Sequence, residues 1–263
     1  MTSFLEEYYT DIIAEEQRFC SQSGKVEFLT TLKYIEDYLK PNAKILEIGA
    51  GTGQYSLYLS RKGYEVTAVE LVQRNIDVLK SKLTAEDNLR IEQGNALKLD
   101  FLSKEAYDLI LLLGPMYHLY SQADRVQALE QAKKRLKPKG IMMVAYIMNE
   151  STIIQWALKG DGSNFKEILA KGMLTEDFHC LSQEKDIFQM IRLEEINALN
   201  DSCHLQKEKL VATDLFTHYI ASTVDNYDSE TFNHYLNYHY AICERQELVG
   251  ASNHVLDIVR HNH

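Results

Sequence analysis

The residues with the most chemical content lie close together: Glu47-Ile48-Gly49-Ala50-Gly51-Thr52-Gly53, followed by a second carboxylate at Glu70. Three glycines at alternate positions permit a tight turn and let a ligand approach bare main chain. A dinucleotide fingerprint would place its third glycine at position 54, where this chain has Gln54. A carboxylate at Glu47 would also repel a diphosphate. The spacing suits a ligand carrying positive charge and a ribose. Glu70 stands where a second strand should end, and a carboxylate there accepts hydrogen bonds from two ribose hydroxyls. The two features together imply a nucleoside without a diphosphate. The sequence has no G-x-x-x-x-G-K-[ST] phosphate loop.

Such a loop works only between a strand and a helix, and the flanking residues supply both. Lys44 to Ile48 is a short apolar run that reads as a strand, and Gln54 to Lys62 reads as a helix. Further strands are expected at Glu65 to Val69, Leu89 to Gln93, Asp108 to Leu113 and Ile141 to Ile147. Helices are expected between them at Leu71 to Leu83 and Ala123 to Leu136. Strands alternating with helices imply βαβ units and a parallel sheet whose C-terminal strand ends share one rim. Ahead of this core, apolar spacing predicts helices from about Phe4 to Arg18 and Gly24 to Leu39. Behind it, strands are expected at Lys207 to Thr213 and Asn253 to Arg260, with a helical pair between Leu215 and Arg245. The fold class is α/β: a doubly wound, mostly parallel, seven-stranded Rossmann-like sheet with helical lid insertions. The whole chain, 1–263, reads as one domain. Within it, 1–40 are N-terminal helices and 41–149 the ligand-binding core. Residues 150–202 and 214–252 are lid insertions, and 203–213 and 253–260 the last strands.

Composition narrows the partners. Over 263 residues the chain carries 28 Lys and Arg against 38 Asp and Glu, a formal charge of −10. That balance argues against a nucleic-acid partner, because such proteins gain affinity by neutralising phosphates. The basic run Lys133-Lys134-Arg135 reads as the solvated end of a helix. No apolar stretch reaches the roughly 18–20 residues that span a bilayer, and no signal peptide opens the chain, so no membrane partner and a cytoplasmic location are expected. The cysteines Cys20, Cys180, Cys203 and Cys243 are dispersed and read as free thiols. With no zinc-like spacing among Cys and His, no metal is expected.

In these residues the sequence resembles the class I S-adenosylmethionine-dependent methyltransferases. The resemblance runs from about Val26 to Ile147, carried by Ile45 to Gly53, Glu70-Leu71, Gln93-Gly94-Asn95-Ala96, Asp108 to Gly114 and Leu136-Lys137-Pro138-Lys139-Gly140. It is similar to bacterial small-molecule enzymes of the quinone-biosynthesis type. The resemblance implies S-adenosylmethionine as cofactor and S-adenosylhomocysteine as product. It implies that Glu47, Gly49, Ala50, Gly51 and Gly53 hold the methionine part, and that Glu70 and Leu71 hold the ribose. Asn95 and Ala96 would flank the adenine. Many members carry Asp where Asn95 stands, but an amide oxygen still accepts from the adenine amino group. Leu113 and Gly114 would offer backbone to the amino-acid end.

Methyl transfer from a sulfonium is an in-line displacement, so the protein mainly positions and desolvates, and a base is needed only for a protonated acceptor. Tyr117, just past the fourth strand, would face the sulfonium as a π surface, and His118 is the candidate base. Both lid insertions should converge over the cofactor and enclose a small acceptor. Tyr8, Tyr9, His218, Tyr238 and His239 are the candidate acceptor contacts, and Arg18, Lys25 or Arg245 would hold an acidic group. Expected partners are a small-molecule acceptor and, at most, a second copy in a homodimer. Two rivals keep the cofactor: an RNA or protein methyltransferase, and a non-catalytic binding module. A nicotinamide oxidoreductase is disfavoured by Gln54.

Overall fold

Short apolar runs rich in β-branched residues stack side by side at the centre of the molecule. In the computed structural model, residues 8–9, 18–104, 106–159 and 163–261 are described. The strands are β1 (Lys44–Ile48), β2 (Glu65–Glu70), β3 (Leu89–Gln93), β4 (Tyr107–Leu112), β5 (Leu136–Met148), β6 (Met190–Ile191), β7 (Leu205–Ala212) and β8 (His254–His261). Their order is β3-β2-β1-β4-β5-β8-β7, with β6 pairing β5 off this path. The first five are mutually parallel, and β8 runs antiparallel between β5 and β7. The seven expected strands are present, and β6 adds two residues. Leu109 to Leu112 and Met142 to Val144 are buried, as central strands covered on both faces must be.

The loops of the sheet follow from its register. Ile48 pairs with Val69, and the Val69 carbonyl then accepts from both Gly49 (2.8 Å) and Ala50 (3.1 Å). The glycine loop is thus clipped to the end of β2. Helices α1 (Gln22–Tyr38), α2 (Gln54–Arg61), α3 (Gln73–Ser81) and α4 (Gln122–Lys133) cover the core. Ser21 and Ser121 cap α1 and α4 through their hydroxyls, each accepting an N–H from the first turn.

Two expectations near α4 change. The helix stops at Lys133, and Arg135 is buried rather than solvated. Its guanidinium donates to the Leu99 carbonyl (3.0 Å) and pairs with Asp100 (3.2 Å). Strand β5 therefore starts at Leu136, five residues earlier than Ile141, with a register irregularity opposite Tyr107 and Leu109.

The segment 150–202 is less uniformly a lid than expected. It holds a short helix, a π-helical turn at Ile153–Leu158, α5 (Ser163–Ala170), β6 and α6 (Leu193–Ser202). Helix α6 packs beside β7 and α4, so it covers the sheet. In 214–252, a 3-10 turn at Leu215–Ile220 and α7 (Ser229–Ile242) pack on α1. The Tyr34 hydroxyl of α1 donates to Glu244 (2.7 Å), and the Gln22 side chain donates to the Tyr227 carbonyl (2.7 Å). The residues flanking α7 therefore tie it to α1. The helix expected from Phe4 to Arg18 lies outside the described residues except for Tyr8, Tyr9 and Arg18. Among the described residues no helix is long and apolar enough to cross a membrane.

Candidate active site

A cavity of about 620 Å³ opens at the C-terminal ends of β1, β2 and β4, where strand order reverses. That is the ligand crevice of an open α/β sheet. Its wall includes Glu47, Gly49, Ala50, Gly51, Glu70, Leu71, Asn95, Ala96, Leu113, Gly114 and Tyr117. Gly53 is the cofactor candidate outside it. At φ +87° its missing Cβ would sit 2.1 Å from Leu79 Cδ1, so it is a packing glycine between loop and α3. Gly49 combines φ +77° with a neighbour at 2.5 Å, Pro115 Cδ, and brings β1 and β4 together. A Cβ on Gly114 would lie 3.3 Å from the Gly49 carbonyl.

The two carboxylates differ sharply. Glu70, 6% exposed, accepts from the backbone N–H of Gly51 (2.8 Å) on one oxygen. Its other oxygen accepts from Val72 N–H (2.9 Å) and the Asn75 amide (3.3 Å). It fixes the loop and keeps lone pairs for hydroxyl donors. Glu47, 2% exposed, has Ser56 as its hydrogen-bond donor. Burial pushes its carboxyl up to about 8, against the Ser56 bonds and aided by Glu70, so it is protonated at neutral pH. Two buried polar atoms in the same wall, Thr52 Oγ1 and Asn75 Oδ1, have no hydrogen-bond partner. Bare backbone, a hydroxyl-accepting carboxylate and orphaned polar atoms together fit an adenosine bearing an amino-acid chain. Asn95 uses its amide oxygen to accept from Leu97 N–H (2.9 Å), holding the turn, while Ala96 is buried beside it.

Beyond Gly114 the cavity continues between the N-terminal residues and the start of β8. Tyr117 is buried, its hydroxyl donating to the Leu113 carbonyl (2.9 Å). His118 uses both ring nitrogens: Nδ1 donates to the Ile187 carbonyl (2.9 Å), and Nε2 accepts from the Tyr9 hydroxyl (3.0 Å). Burial pushes the imidazole down to about 4, so it is neutral. Tyr9 lines the cavity, and Tyr8 lies outside it, half exposed, edge-on to Phe188. His218, Tyr238 and His239, expected as acceptor contacts, are not among the residues lining the cavity. Tyr238 is 55% exposed on α7, and His239 is buried behind the wall, pushed down to about 4 by desolvation. No described residue of 214–252 lines the cavity. Of the three expected cations, Arg18 lines it, whereas Lys25 and Arg245 do not.

Sequence reasoning missed Glu27, Thr31, Tyr55, Thr213 and His254, all in the cavity wall, and Asp214 behind them. Glu27 pairs with Arg18 (2.7 Å), and His254 Nδ1 lies 2.8 Å from Asp214. The ligand-type atoms of Glu27, Asp214 and His254 fall within 4.8 Å of one another. No local spacing connects these residues, so only the fold brings them together.

Comparison with known proteins agrees with this geometry. A family model described as "Methyltransferase domain" matches residues 45–140. The ubiquinone biosynthesis O-methyltransferase of Bartonella tribocorum is 30% identical over 183 residues, 64% of this chain and 69% of the relative. A probable ribosomal RNA small subunit methyltransferase A of Methanosarcina mazei is 43% identical, over 24% of this chain and 23% of the relative. The chain spans about half the length of several other curated relatives it matches. Among solved structures, a possible histamine N-methyltransferase from Thermotoga maritima superposes with a TM-score of 0.60 at 18% identity, covering 97% of this chain and 98% of that one. The strand order, the glycine loop ending in Glu70's reach and these likenesses place the chain in one family: it belongs to the class I S-adenosylmethionine-dependent methyltransferases.

Proposed function

We propose that this protein transfers a methyl group from S-adenosylmethionine to a small molecule seated between the glycine loop, the N-terminal residues and the start of β8. Gly49, Ala50, Gly51 and the backbone of Leu113 and Gly114 hold the amino-acid portion of the cofactor. Glu70, beside Leu71, holds the ribose, and Asn95 and Ala96 flank the adenine. When bound, the cofactor supplies an electrophilic methyl and a thioether leaving group. The chain's own part is to orient, desolvate and balance charge. Tyr117 offers a ring face near the sulfonium position, and Tyr9, Phe19 and Tyr55 give the acceptor apolar walls.

The observation that carries this reading is the continuity of the cavity past Gly114. The space beyond the cofactor half is not filled by side chains of the described residues, which disfavours a pure binding module. Its volume falls within the roughly 300–1,000 Å³ of small-molecule pockets. The −10 charge opposes an RNA acceptor, and the ribosomal RNA methyltransferase likeness covers only 24% of the chain. The test is incubation with isotopically labelled S-adenosylmethionine plus either a small-metabolite extract or ribosomal RNA and protein. Label in a small molecule, absent with the Gly51→Val variant, is expected. Label only in RNA or protein would contradict the reading.

A further inference from the structure

Four ionisable side chains from distant parts of the sequence meet on the acceptor side of the cavity: Arg18, Glu27, Asp214 and His254. Asp214 is fixed from several directions. Its Oδ1 accepts from the Ser252 hydroxyl (2.7 Å) and from the backbone N–H groups of Asn253 (2.9 Å) and His254 (3.0 Å). Its Oδ2 faces Nδ1 of His254 at 2.8 Å. A carboxylate only accepts, so Nδ1 carries a proton, and the ring can act as a base once Nε2 is deprotonated. Asp214 lies behind the wall while His254 and Arg18 line it. The guanidinium of Arg18 lies 3.4 Å from Nε2 and pairs with Glu27. A buried carboxylate, an oriented imidazole and a cation beside its Nε2 form an arrangement for removing a proton and stabilising the anion left behind.

We propose that His254, oriented by Asp214, takes the proton from the methyl acceptor, and that the acceptor atom is an ionisable hydroxyl oxygen. The inference rests on the methyl-transfer reading above and deepens it. In the step, the acceptor O–H bond breaks and its proton passes to Nε2. An oxygen lone pair forms the O–CH3 bond, and the electron pair of the broken S–CH3 bond stays on sulfur. Asp214 balances the imidazolium until its proton leaves to water, and Arg18 faces the developing oxyanion. His118 is not equivalent, because its nitrogens are held at 2.9 and 3.0 Å by Ile187 and Tyr9, whereas Nε2 of His254 has only long contacts, to Arg18 (3.4 Å) and the Asn253 amide (3.5 Å). Glu27, Asp214 and His254 also resemble a cation site in spacing, but the Arg18 guanidinium already supplies positive charge there. The groups that bias the His254 ring are Arg18, Glu27 and Asp214, with His218 nearby.

The test uses the full chain loaded with S-adenosylhomocysteine and 4-nitrophenol as probe, whose colour reports phenol against phenolate. Nitrogen-labelled histidine reports the His254 tautomer by NMR. In the wild type, we expect His254 with its proton on Nδ1, and bound probe at least tenfold more ionised than free probe at the same pH. His254→Gln should abolish that excess while S-adenosylhomocysteine still binds within about twofold. Asp214→Asn should move the ring proton to Nε2 and lose the same excess, a result that mere loss of packing would not give. Equal probe ionisation in the wild type and His254→Gln would overturn the proposal. So would absence of bound probe, or an ionisation that requires added Mg²⁺ or Zn²⁺ and disappears with chelator. Failure of the wild type to bind S-adenosylhomocysteine would sink the methyl-transfer reading itself, a distinct outcome.

Discussion

Nδ1 of His254 lies 2.8 Å from Oδ2 of Asp214, although 40 positions separate the two residues. The contact follows from strand pairing: Ala212 at the end of β7 sits opposite Val255 in β8, and Thr213 N–H donates to the His254 carbonyl. The rim where β7 ends and β8 begins therefore delivers a charged pair to the acceptor half of the cavity.

That pair should leave a signature in stability against pH. Burial alone would raise Asp214, but hydrogen bonds from His254 and Ser252 outweigh it and hold the carboxyl below its ordinary 3.8. Burial alone would lower His254, but Glu27 and Asp214 hold it above its ordinary 6.5. Asp214 stabilises the fold above 3.8 and loses that effect as pH falls through its depressed value. His254 stabilises it below 6.5 and loses that effect as pH rises through its raised value. The contribution is full between 3.8 and 6.5. Denaturant unfolding of Asp214→Asn should show a loss of about 3–5 kcal/mol in that window, shrinking on the alkaline side. A loss independent of pH would contradict the pairing.

Glu47 should release a proton when the cofactor binds. It is protonated at neutral pH because burial raises it to about 8. A ligand with a sulfonium and an ammonium group favours its charged form. Calorimetry in buffers of different ionisation heat should register close to one proton released, and Glu47→Gln should abolish the release and weaken binding roughly tenfold. Unchanged proton release in the variant would assign the proton elsewhere.

Much of the core was legible because parallel strands write themselves as continuous apolar runs: Asp108 to Leu113 and Lys44 to Ile48 needed no tertiary information. The glycine loop and Glu70 were legible for the same reason, being local and joined through one crossover. Arg135 was misjudged because its burial depends on a carbonyl at Leu99, far along the chain. The residues of α7 show helical periodicity, but periodicity does not say whether the buried face meets a ligand or another helix. Here it meets α1. Glu27 and His254 carried no signal, since their roles arise only when α1 and β8 converge.

Gly49 should tolerate a side chain less well than a glycine in an open turn. Alanine there faces both φ +77° and Pro115 Cδ at 2.5 Å. Gly63 has φ +91° but open space around it, which isolates the backbone cost. Thermal unfolding should show a loss of about 1–2 kcal/mol for Gly63→Ala and clearly more for Gly49→Ala. Equal losses would mean that Pro115 yields without cost.

Thr52 offers a test of the orphaned polar atoms. Its buried hydroxyl has no hydrogen-bond partner, so Thr52→Val should leave the free protein's stability unchanged within about 0.5 kcal/mol or improve it. The thermal shift caused by S-adenosylhomocysteine should nonetheless shrink. A variant destabilised without ligand and stabilised normally with it would show that the hydroxyl serves the fold alone.

The most direct measurement is calorimetric titration of S-adenosylmethionine into the wild type, Gly51→Val and Glu70→Ala. Micromolar binding by the wild type is expected, with a loss on the order of 100-fold, about 2.7 kcal/mol, in each variant. The same affinity in all three proteins would mean that the glycine loop and the carboxylate at the end of β2 do not hold the cofactor.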